Sequence, residues 1–439
     1  MTSEAPSTPS AKISLKRKLL FMLVAGVPLA ILGGEAAVRV RMRVNGEPYN
    51  AHKVRTDLAE LRSRQVDSVP LPGGAAMNTQ KRENERIVHP FVATDSMSTF
   101  QQLDEDLARY TEKDPDRLVI LVLGGSVASL FGPAGQQRLR ALLNQHPDLA
   151  NRNIEFTNYG RGGHKQPQQL TRFSHLMLAG IRPDLVLNID GFNEVALGSK
   201  NHYQEMYPTY PSYTHWMRFA RSLSKGNGPG TELADVATDA RDQLVAQIDF
   251  VLDHDFLQSA LYGYYATKSV RHMSAAYGKA RTDYMEALKD SPTASGVLGP
   301  KFDGDLPEAI RLCVDTWMES SRQIQTLCDM YGIKYVHVLQ PNLHDPGAKQ
   351  MTAEEKEKGT IGEAWLRGVF QGYPLLREGG QQLAAEGIEF IDATMVFSKI
   401  KTTIYYDSCH FRDRGNQILA EGILPGALRV LGLKPFAPK

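Results

Sequence analysis

The sequence predicts an α/β fold in which a parallel sheet of five strands is covered by helices on both faces. Five short apolar runs indicate the strands, at Leu118–Leu123, Ile154–Tyr159, Leu185–Asp190, Tyr335–Gln340 and Ile388–Asp392. Each run is almost continuously apolar, which is typical of a parallel strand buried on both faces. Helical patterns lie between the runs, and this alternation predicts a doubly wound sheet.

The predicted helices are marked by apolar stripes and by end signals. Between the first three strands, helices are expected at Gln137–Asn144 and Gln168–Leu178. The interval between the third and fourth strands is long, and one helical stripe in it consists of Leu244, Val245, Ile248, Val251 and Leu252. A second helix there begins after Asp305 and ends at Gly332. We therefore expect a helical insertion between these two strands.

The N-terminal region predicts a membrane anchor. Residues 19–34 carry no charge and directly follow three basic residues. Extending the apolar stretch to Val38 brings it near the roughly 20 residues needed to cross hydrocarbon, although Glu35 is then included. We expect a cytoplasmic tail at 1–18, a transmembrane signal anchor at 19–38, and the main body of the protein outside the cytoplasm, which means the periplasm in a bacterium. A cleaved signal peptide is the alternative interpretation.

The rest of the chain divides into a spacer and one domain. Residues 39–115 are polar and are interrupted by prolines and glycines, which indicates a juxtamembrane spacer. The folded domain is expected at 116–433, with the helical insertion within 193–334.

Composition excludes several classes of protein. Hydrophobic residues make up 42% of the 439 residues, which is enough for a sizeable core and excludes a disordered chain. Lys and Arg total 50 against 49 Asp and Glu, so the net charge of +1 offers no field that would attract nucleic acid. Three cysteines can form neither a disulfide framework nor a four-cysteine zinc site.

Chemically useful residues follow the predicted strands. In chain order they are Ser126, the glycine-rich turn 160–163, Asn193, Asp407 and His410. Ligands of a doubly wound sheet bind beyond the carboxyl ends of its strands, so we expect these residues to converge. A hydroxyl, an Asp/His pair and hydrogen-bond donors for an oxyanion are the parts that acyl transfer requires.

Each of these residues also has an ordinary structural explanation. Ser126 could cap a helix after a tight turn, Asn193 could be a second cap, and His410 could be a hydrogen-bonded structural histidine. The glycines at 160–163 could form a plain turn or a phosphate loop, but they lack the Lys-Ser/Thr ending of a P-loop and the spacing of a dinucleotide fingerprint. The combination, rather than any one residue, predicts a site.

This combination resembles the SGNH, or GDSL, hydrolase superfamily over about residues 117–431. Ser126 matches the nucleophile of the family's first block, and Gly125 stands where the family often has Asp. Gly163 matches the glycine of the second block, with Gly160 as the other candidate. Asn193 matches the asparagine of the third block.

The last block and the implied mechanism follow the same resemblance. Asp407 and His410 match the family's Asp-x-x-His pair. The resemblance implies a three-layer α/β/α, flavodoxin-like fold and a serine esterase that works through an acyl-enzyme. His410 would take the proton of Ser126 while Asp407 orients the imidazole. The backbone N–H groups of Ser126 and Gly163, with the Asn193 amide, would form the oxyanion hole. No metal or organic cofactor is implied.

An aromatic segment follows Asn193. Residues 203–216 contain four tyrosines and Trp216, interleaved with prolines. The segment could be a loop packed by its own aromatic rings. Alternatively, Tyr207 and Trp216 could bind substrate, because aromatic faces suit sugar rings.

Three functions fit this sequence. The leading hypothesis is a membrane-tethered esterase that acts on an acylated small molecule, glycan or lipid. An O-acyltransferase could use the same residues, with a sugar hydroxyl as the acyl acceptor. A catalytically silent module that binds a glycan or a partner protein is the third, but such a module has no need of Ser126, Asp407 and His410 together.

Overall fold

The structure is a computed structural model that describes residues 27–66, 86–213, 231–289 and 300–436. These residues form two compact units. The smaller unit contains 27–66 and 231–289, and the larger unit contains 86–213 and 300–436.

The described residues form strands and helices that we number in chain order. The strands are β1 (Arg86–His89), β2 (Ala93–Ser96), β3 (Arg117–Gly124), β4 (Asn153–Asn158), β5 (Leu185–Asp190), β6 (Lys334–Leu339) and β7 (Phe390–Asp392). The helices are α1 (Val27–Val44), α2 (Ala51–Val66), α3 (Met97–Arg109), α4 (Ser126–Leu130), α5 (Gly132–Leu143), α6 (Gln168–Ala179), α7 (Phe192–His202), α8 (Thr231–Asp253), α9 (Ala260–Lys289), α10 (Leu306–Met330), α11 (Ala353–Lys358), α12 (Glu363–Ala385) and α13 (Asp413–Val430).

The larger unit is built on a parallel sheet of five strands in the order β4-β3-β5-β6-β7. The chain runs from β3 to β4 on one side and then crosses back from β4 to β5 on the other side of β3, so the winding direction changes at β3. This is the strand order of flavodoxin-like sheets, in which ligands bind at the carboxyl edge where the direction changes. The predicted fold class is confirmed. Each end of the five strands lies within two residues of the end of the apolar run that predicted it.

Helices cover both faces of this sheet. Side chains of β3 alternate between two cores, with Val119 and Leu121 in one and Leu118 and Ile120 in the other. The first core is closed by α6, α7, α10 and α12, and the second by α5 and α13. Since both faces are buried, the strand has no polar alternation, which is why its sequence is a continuous apolar run.

An antiparallel hairpin and one helix precede the sheet. Strands β1 and β2 pair with each other, and α3 follows directly. The hairpin and α3 lie within the stretch 39–115 that the sequence suggested to be a spacer, as does α2. The prolines and glycines that favoured a spacer lie at 70–74, outside the described residues. They are therefore not part of α2 or of the hairpin, and they do not interrupt either element.

The smaller unit consists of α1, α2, α8 and α9. Its core contains Leu58 of α2, Leu244, Ile248 and Val251 of α8, and Ala266 and Val270 of α9. The helical stripe predicted at 244–252 is therefore part of α8, and it packs on α2 and α9. Of the expected helical insertion, α7 and α10 belong to the larger unit.

Glu35 of α1 binds the amino end of α9. Its carboxylate accepts the backbone N–H groups of Ala260 and Leu261 at 2.9 and 2.8 Å, and it pairs with Arg39. Burial raises the pKa of Glu35, but these hydrogen bonds outweigh it and lower the pKa to about 2. Glu35, which the predicted anchor 19–38 includes, is thus a helix cap. Among the described residues, no helix has an apolar stretch of the length that a bilayer crossing requires.

Candidate active site

Ser126 stands at the carboxyl edge of the sheet, as the first residue of α4 directly after β3. Two glycines make this sharp turn. Gly124 has φ +137°, and a Cβ atom there would lie 2.0 Å from the carbonyl oxygen of Ile189 on β5. A Cβ atom on Gly125 would lie 2.3 Å from Nδ2 of Asn193. The turn can therefore approach β5 and α7 only because both residues lack side chains.

His410 links Ser126 to Asp407. Its Nε2 lies 2.5 Å from Ser126 Oγ, and its Nδ1 lies 2.7 Å from Asp407 Oδ2. Asp407 Oδ1 also accepts the backbone N–H groups of Cys409 at 3.0 Å and His410 at 2.8 Å. This is the arrangement in which a carboxylate orients an imidazole that can take a proton from a hydroxyl.

The two titratable groups of this relay shift in opposite directions. Burial raises the pKa of Asp407, but the hydrogen bond and charge of His410 outweigh it and hold the pKa below its usual value. Burial lowers the pKa of His410, but the Cys409 sulfur and the Asp407 carboxylate raise it well above the usual histidine value. We attribute the raised pKa of His410 mainly to the hydrogen bond between its Nδ1 and Asp407 Oδ2, because a nearby carboxylate stabilises the imidazolium.

A buried ion pair, which the sequence did not indicate, binds the backbone just before Asp407 and His410. Lys349 Nζ lies 2.8 Å from Glu355 Oε2, and both side chains are fully buried. The other carboxylate oxygen, Oε1, accepts the backbone N–H groups of Ile404 and Tyr405 at 2.9 and 3.1 Å. A run of mixed charges around α11 gives no signal of this role, because such runs are usually solvated.

Asn193 lies at the start of α7, beside the turn that carries Ser126. The side chain is buried, and Nδ2 donates one hydrogen bond to the carbonyl oxygen of His164 at 2.7 Å. An amide has two N–H groups, so this bond fixes its orientation and leaves a second donor. The short distance to Gly125 described above places that amide next to the nucleophile's backbone.

The glycine-rich turn after β4 offers two candidate donors. The backbone N–H of Gly160 donates to Asn158 Oδ1 at 2.9 Å, and Asn158 Nδ2 donates to the carbonyl oxygen of Ala128. Gly163 is buried with φ +80° and precedes His164, which contacts Asn193. Because the N–H of Gly160 is already used, Gly163 remains the better candidate for the oxyanion hole.

Asp407, Cys409 and His410 also form a cluster of metal-ligand types within 4.8 Å of one another. Two atoms that bind one tetrahedral zinc ion at 2.0–2.1 Å lie roughly 3.3 Å apart. Asp407 Oδ2 and His410 Nδ1 are 2.7 Å apart, which is a hydrogen-bond distance. The cluster therefore fits the relay better than it fits a metal ion.

Of the two residues predicted to bind substrate, the structure describes only Tyr207. Tyr207 packs edge-on against Tyr210 at 5.7 Å and against Phe302 at 5.8 Å between ring centroids. Trp216 lies outside the described residues. A role of either residue in substrate binding stays a prediction.

Comparisons with known proteins give similarity of fold only. No family model matches the chain, and no curated protein matches its sequence. A variant of an acetyl-xylooligosaccharide esterase from Geobacillus stearmophilus is 11% identical, with a TM-score of 0.35 over 73% of this chain and 97% of that one. A GDSL-like lipase from Bacteroides thetaiotaomicron is 10% identical, with a TM-score of 0.36 over 75% and 97%.

A member of the lipolytic G-D-S-L family from Veillonella parvula is 9% identical, with a TM-score of 0.31 over 70% of this chain and 97% of that one. All three scores are below 0.5, so a functional assignment has to come from the geometry of the chain's own site.

Proposed function

We propose that this protein is a serine hydrolase of the SGNH/GDSL type that cleaves an ester through an acyl-enzyme. One observation carries the proposal: Ser126, His410 and Asp407 form a continuous hydrogen-bonded relay at the carboxyl edge of the sheet. The fold brings these three residues together from two ends of the domain, in the order that proton transfer requires. Three independent structural contacts would not be expected to produce this arrangement.

The proposed reaction has two halves. Ser126 Oγ attacks the ester carbonyl carbon and gives its proton to His410 Nε2, and the Asn193 amide and the backbone N–H of Gly163 stabilise the oxyanion. The carbon–oxygen bond to the leaving alcohol then breaks, and His410 returns the proton to that alcohol. A water molecule attacks the acyl-enzyme, gives a proton to His410, and releases the acid, while Ser126 recovers its proton.

The finer parts of the proposal are the substrate and the location. We expect the acyl group to sit on a glycan, a lipid or a small molecule, and we expect the anchor predicted at 19–38, through its uncharged part at 19–34, to hold the protein in a membrane. Uncovered apolar side chains on α1 support the second expectation: Leu29, Ile31 and Leu32 are each more than half exposed, directly after the uncharged stretch. A full-length chain that leaves membranes in a carbonate wash would contradict the anchor.

A fluorophosphonate probe tests the nucleophile. The full chain in detergent should be labelled, and Ser126→Ala should not be. Ser129→Ala is the matched control, because Ser129 is an exposed hydroxyl in the same short helix, and it should label like the unaltered chain. Labelling that survives in Ser126→Ala would overturn the assignment. If acylated enzyme passes its acyl group to an added alcohol in preference to water, the protein is an acyltransferase with the same nucleophile.

A further inference from the structure

The hairpin β1–β2 contacts the loop that supplies the candidate oxyanion donors. This loop, residues 160–167, joins β4 to α6 and is called the oxyanion loop below. The carbonyl oxygen of Thr94 accepts the Nε2 hydrogen of His164 at 2.8 Å, and the carbonyl oxygen of Val92 accepts a hydrogen from Gln168 Nε2 at 2.7 Å. The hairpin therefore binds the loop, and the residue that follows it, through backbone groups of two residues.

Asp95 is the charged centre of this contact. Its side chain is buried, and Oδ1 accepts hydrogen bonds from Thr99 Oγ1 at 2.6 Å and from Arg161 Nε at 3.1 Å. Its other oxygen lies 2.7 Å from Arg172 on α6. Burial raises the pKa of Asp95, but the two guanidinium groups outweigh it and lower the pKa to about 2. One buried carboxylate thus fixes both the oxyanion loop and the helix that follows it.

His164 connects this ion pair to the oxyanion hole. Its ring donates to the hairpin, while its backbone carbonyl accepts the Asn193 Nδ2 hydrogen at 2.7 Å. Burial, with the nearby charge of Arg172, lowers the pKa of His164 to about 3, so the ring stays neutral, and the Thr94 carbonyl beside Nε2 favours the tautomer with its hydrogen there. A displacement of the hairpin would therefore move the His164 carbonyl and rotate the Asn193 amide.

We propose that Asp95 is a positioning residue of the active site, which aims the Asn193 amide at the oxyanion by holding Arg161 and Arg172. The inference rests on the proposed hydrolase function. Asp95 itself touches neither the nucleophile nor the place where an ester would bind. Its effect is exerted on the transition state, because an oxyanion donor stabilises charge that develops only during the reaction.

The test is a double-mutant cycle in the full chain, with p-nitrophenyl acetate as the substrate. Asp95→Asn keeps the shape and removes the charge, and it should lower kcat by about 10²-fold while KM changes by less than about 3-fold. Asn193→Ala should lose a similar factor. If Asp95 acts through the Asn193 amide, the double variant should be little worse than Asn193→Ala alone.

Asp184→Asn is the control for a general loss of stability. Asp184 accepts the backbone N–H of Val119 at 2.8 Å, and it lies at the amino edge of the sheet, opposite the candidate site. This variant should keep its kcat. Should Asp95→Asn not fold, His164→Phe carries the same test, because it removes one neutral hydrogen bond to the hairpin and keeps a ring of similar size.

Two results would overturn the inference: an unchanged kcat in Asp95→Asn, or losses that multiply in the double variant. The activity of Ser126→Ala is measured in parallel, so that a failure of the Asp95 inference can be distinguished from a failure of the proposed hydrolase function. An active Ser126→Ala refutes the hydrolase mechanism itself. An inactive Ser126→Ala beside a fully active Asp95→Asn refutes only the role of Asp95.

Discussion

His410 Nε2 lies 2.5 Å from Ser126 Oγ, although 284 positions separate the two residues in the chain. The contact exists because β3 ends at the carboxyl edge of the sheet and the segment before α13 returns to that edge. In a doubly wound sheet the residues after different strands meet there whatever their distance in sequence. The reactivity of the pair therefore depends on the contacts that fix two separate segments, the turn after β3 and the segment before α13.

The first prediction concerns the pH dependence of ester hydrolysis. His410 must be neutral to take the proton of Ser126, and the Asp407 carboxylate raises its pKa. Activity should therefore rise with pH through that raised pKa. Asp407→Asn should lower kcat by about 10⁴-fold, as loss of the orienting carboxylate does in serine proteases, and should move the acid limb to lower pH. Profiles of kcat/KM for the two proteins check this, and coincident acid limbs would contradict it.

The second prediction concerns Gly125. A methyl group there would lie 2.3 Å from Asn193 Nδ2, so Gly125→Ala should push the amide away from the oxyanion. Loss of one such donor costs roughly 10²–10³ in kcat. Gly132→Ala is the control, because a Cβ atom at that position meets nothing within 4 Å. Steady-state kinetics of both variants decide the matter, and equal kcat values would show that the amide does not serve the reaction.

The third prediction concerns Glu355. Glu355→Gln would leave Lys349 buried without its partner and would weaken the hold on Tyr405, two residues before Asp407. Breaking a buried ion pair from one side costs about 3–5 kcal/mol, so the melting temperature should fall. Glu354→Gln changes the neighbouring carboxylate, which is half-buried in surface ion pairs with Lys358 and Arg412, and it should lower the melting temperature far less. Thermal unfolding followed by circular dichroism measures both, and equal melting temperatures would refute the role.

The fourth prediction concerns Glu35 and acid stability. The pKa of Glu35 is lowered from 4.5 to about 2 in the folded chain, so its contribution to stability is present above about pH 4.5 and is lost as pH falls toward 2. Glu35→Gln keeps one acceptor and should cost the smaller unit about 1 kcal/mol at neutral pH. Urea unfolding at pH 7 and at pH 3 should show a smaller difference between the two proteins at the lower pH. A constant difference would contradict the assignment.

Much of the larger unit could be predicted from sequence because its signals are local. A strand buried on both faces has a continuous apolar sequence. The helix Leu306–Met330 is capped by Asp305, which forms a capping box with Glu308 that can be recognised in the sequence. Strand β7 is the shortest strand of the sheet, and the run that predicted it starts two residues earlier because Ile388 is buried in the core.

What could not be predicted depends on pairings between distant segments. Asp95, Arg161 and Arg172 look like ordinary surface charges until the fold brings them together, and nothing in the sequence near Glu355 indicates that its carboxylate binds Ile404 and Tyr405. The smaller unit was missed for the same reason, since α1 and α2 find their partners far along the chain. Two clear helical patterns do not tell which helices pack together.

The cap between Glu35 and Ala260 has a consequence for how the chain is made. The two residues are 225 positions apart, and the first three strands of the sheet are encoded between them. At about 5–20 residues per second, a ribosome needs roughly 10 to 45 s to synthesise that interval. During that time α1 and α2 exist without α8 and α9, so Leu58 and its apolar neighbours are open to chaperones until the second half of their unit emerges.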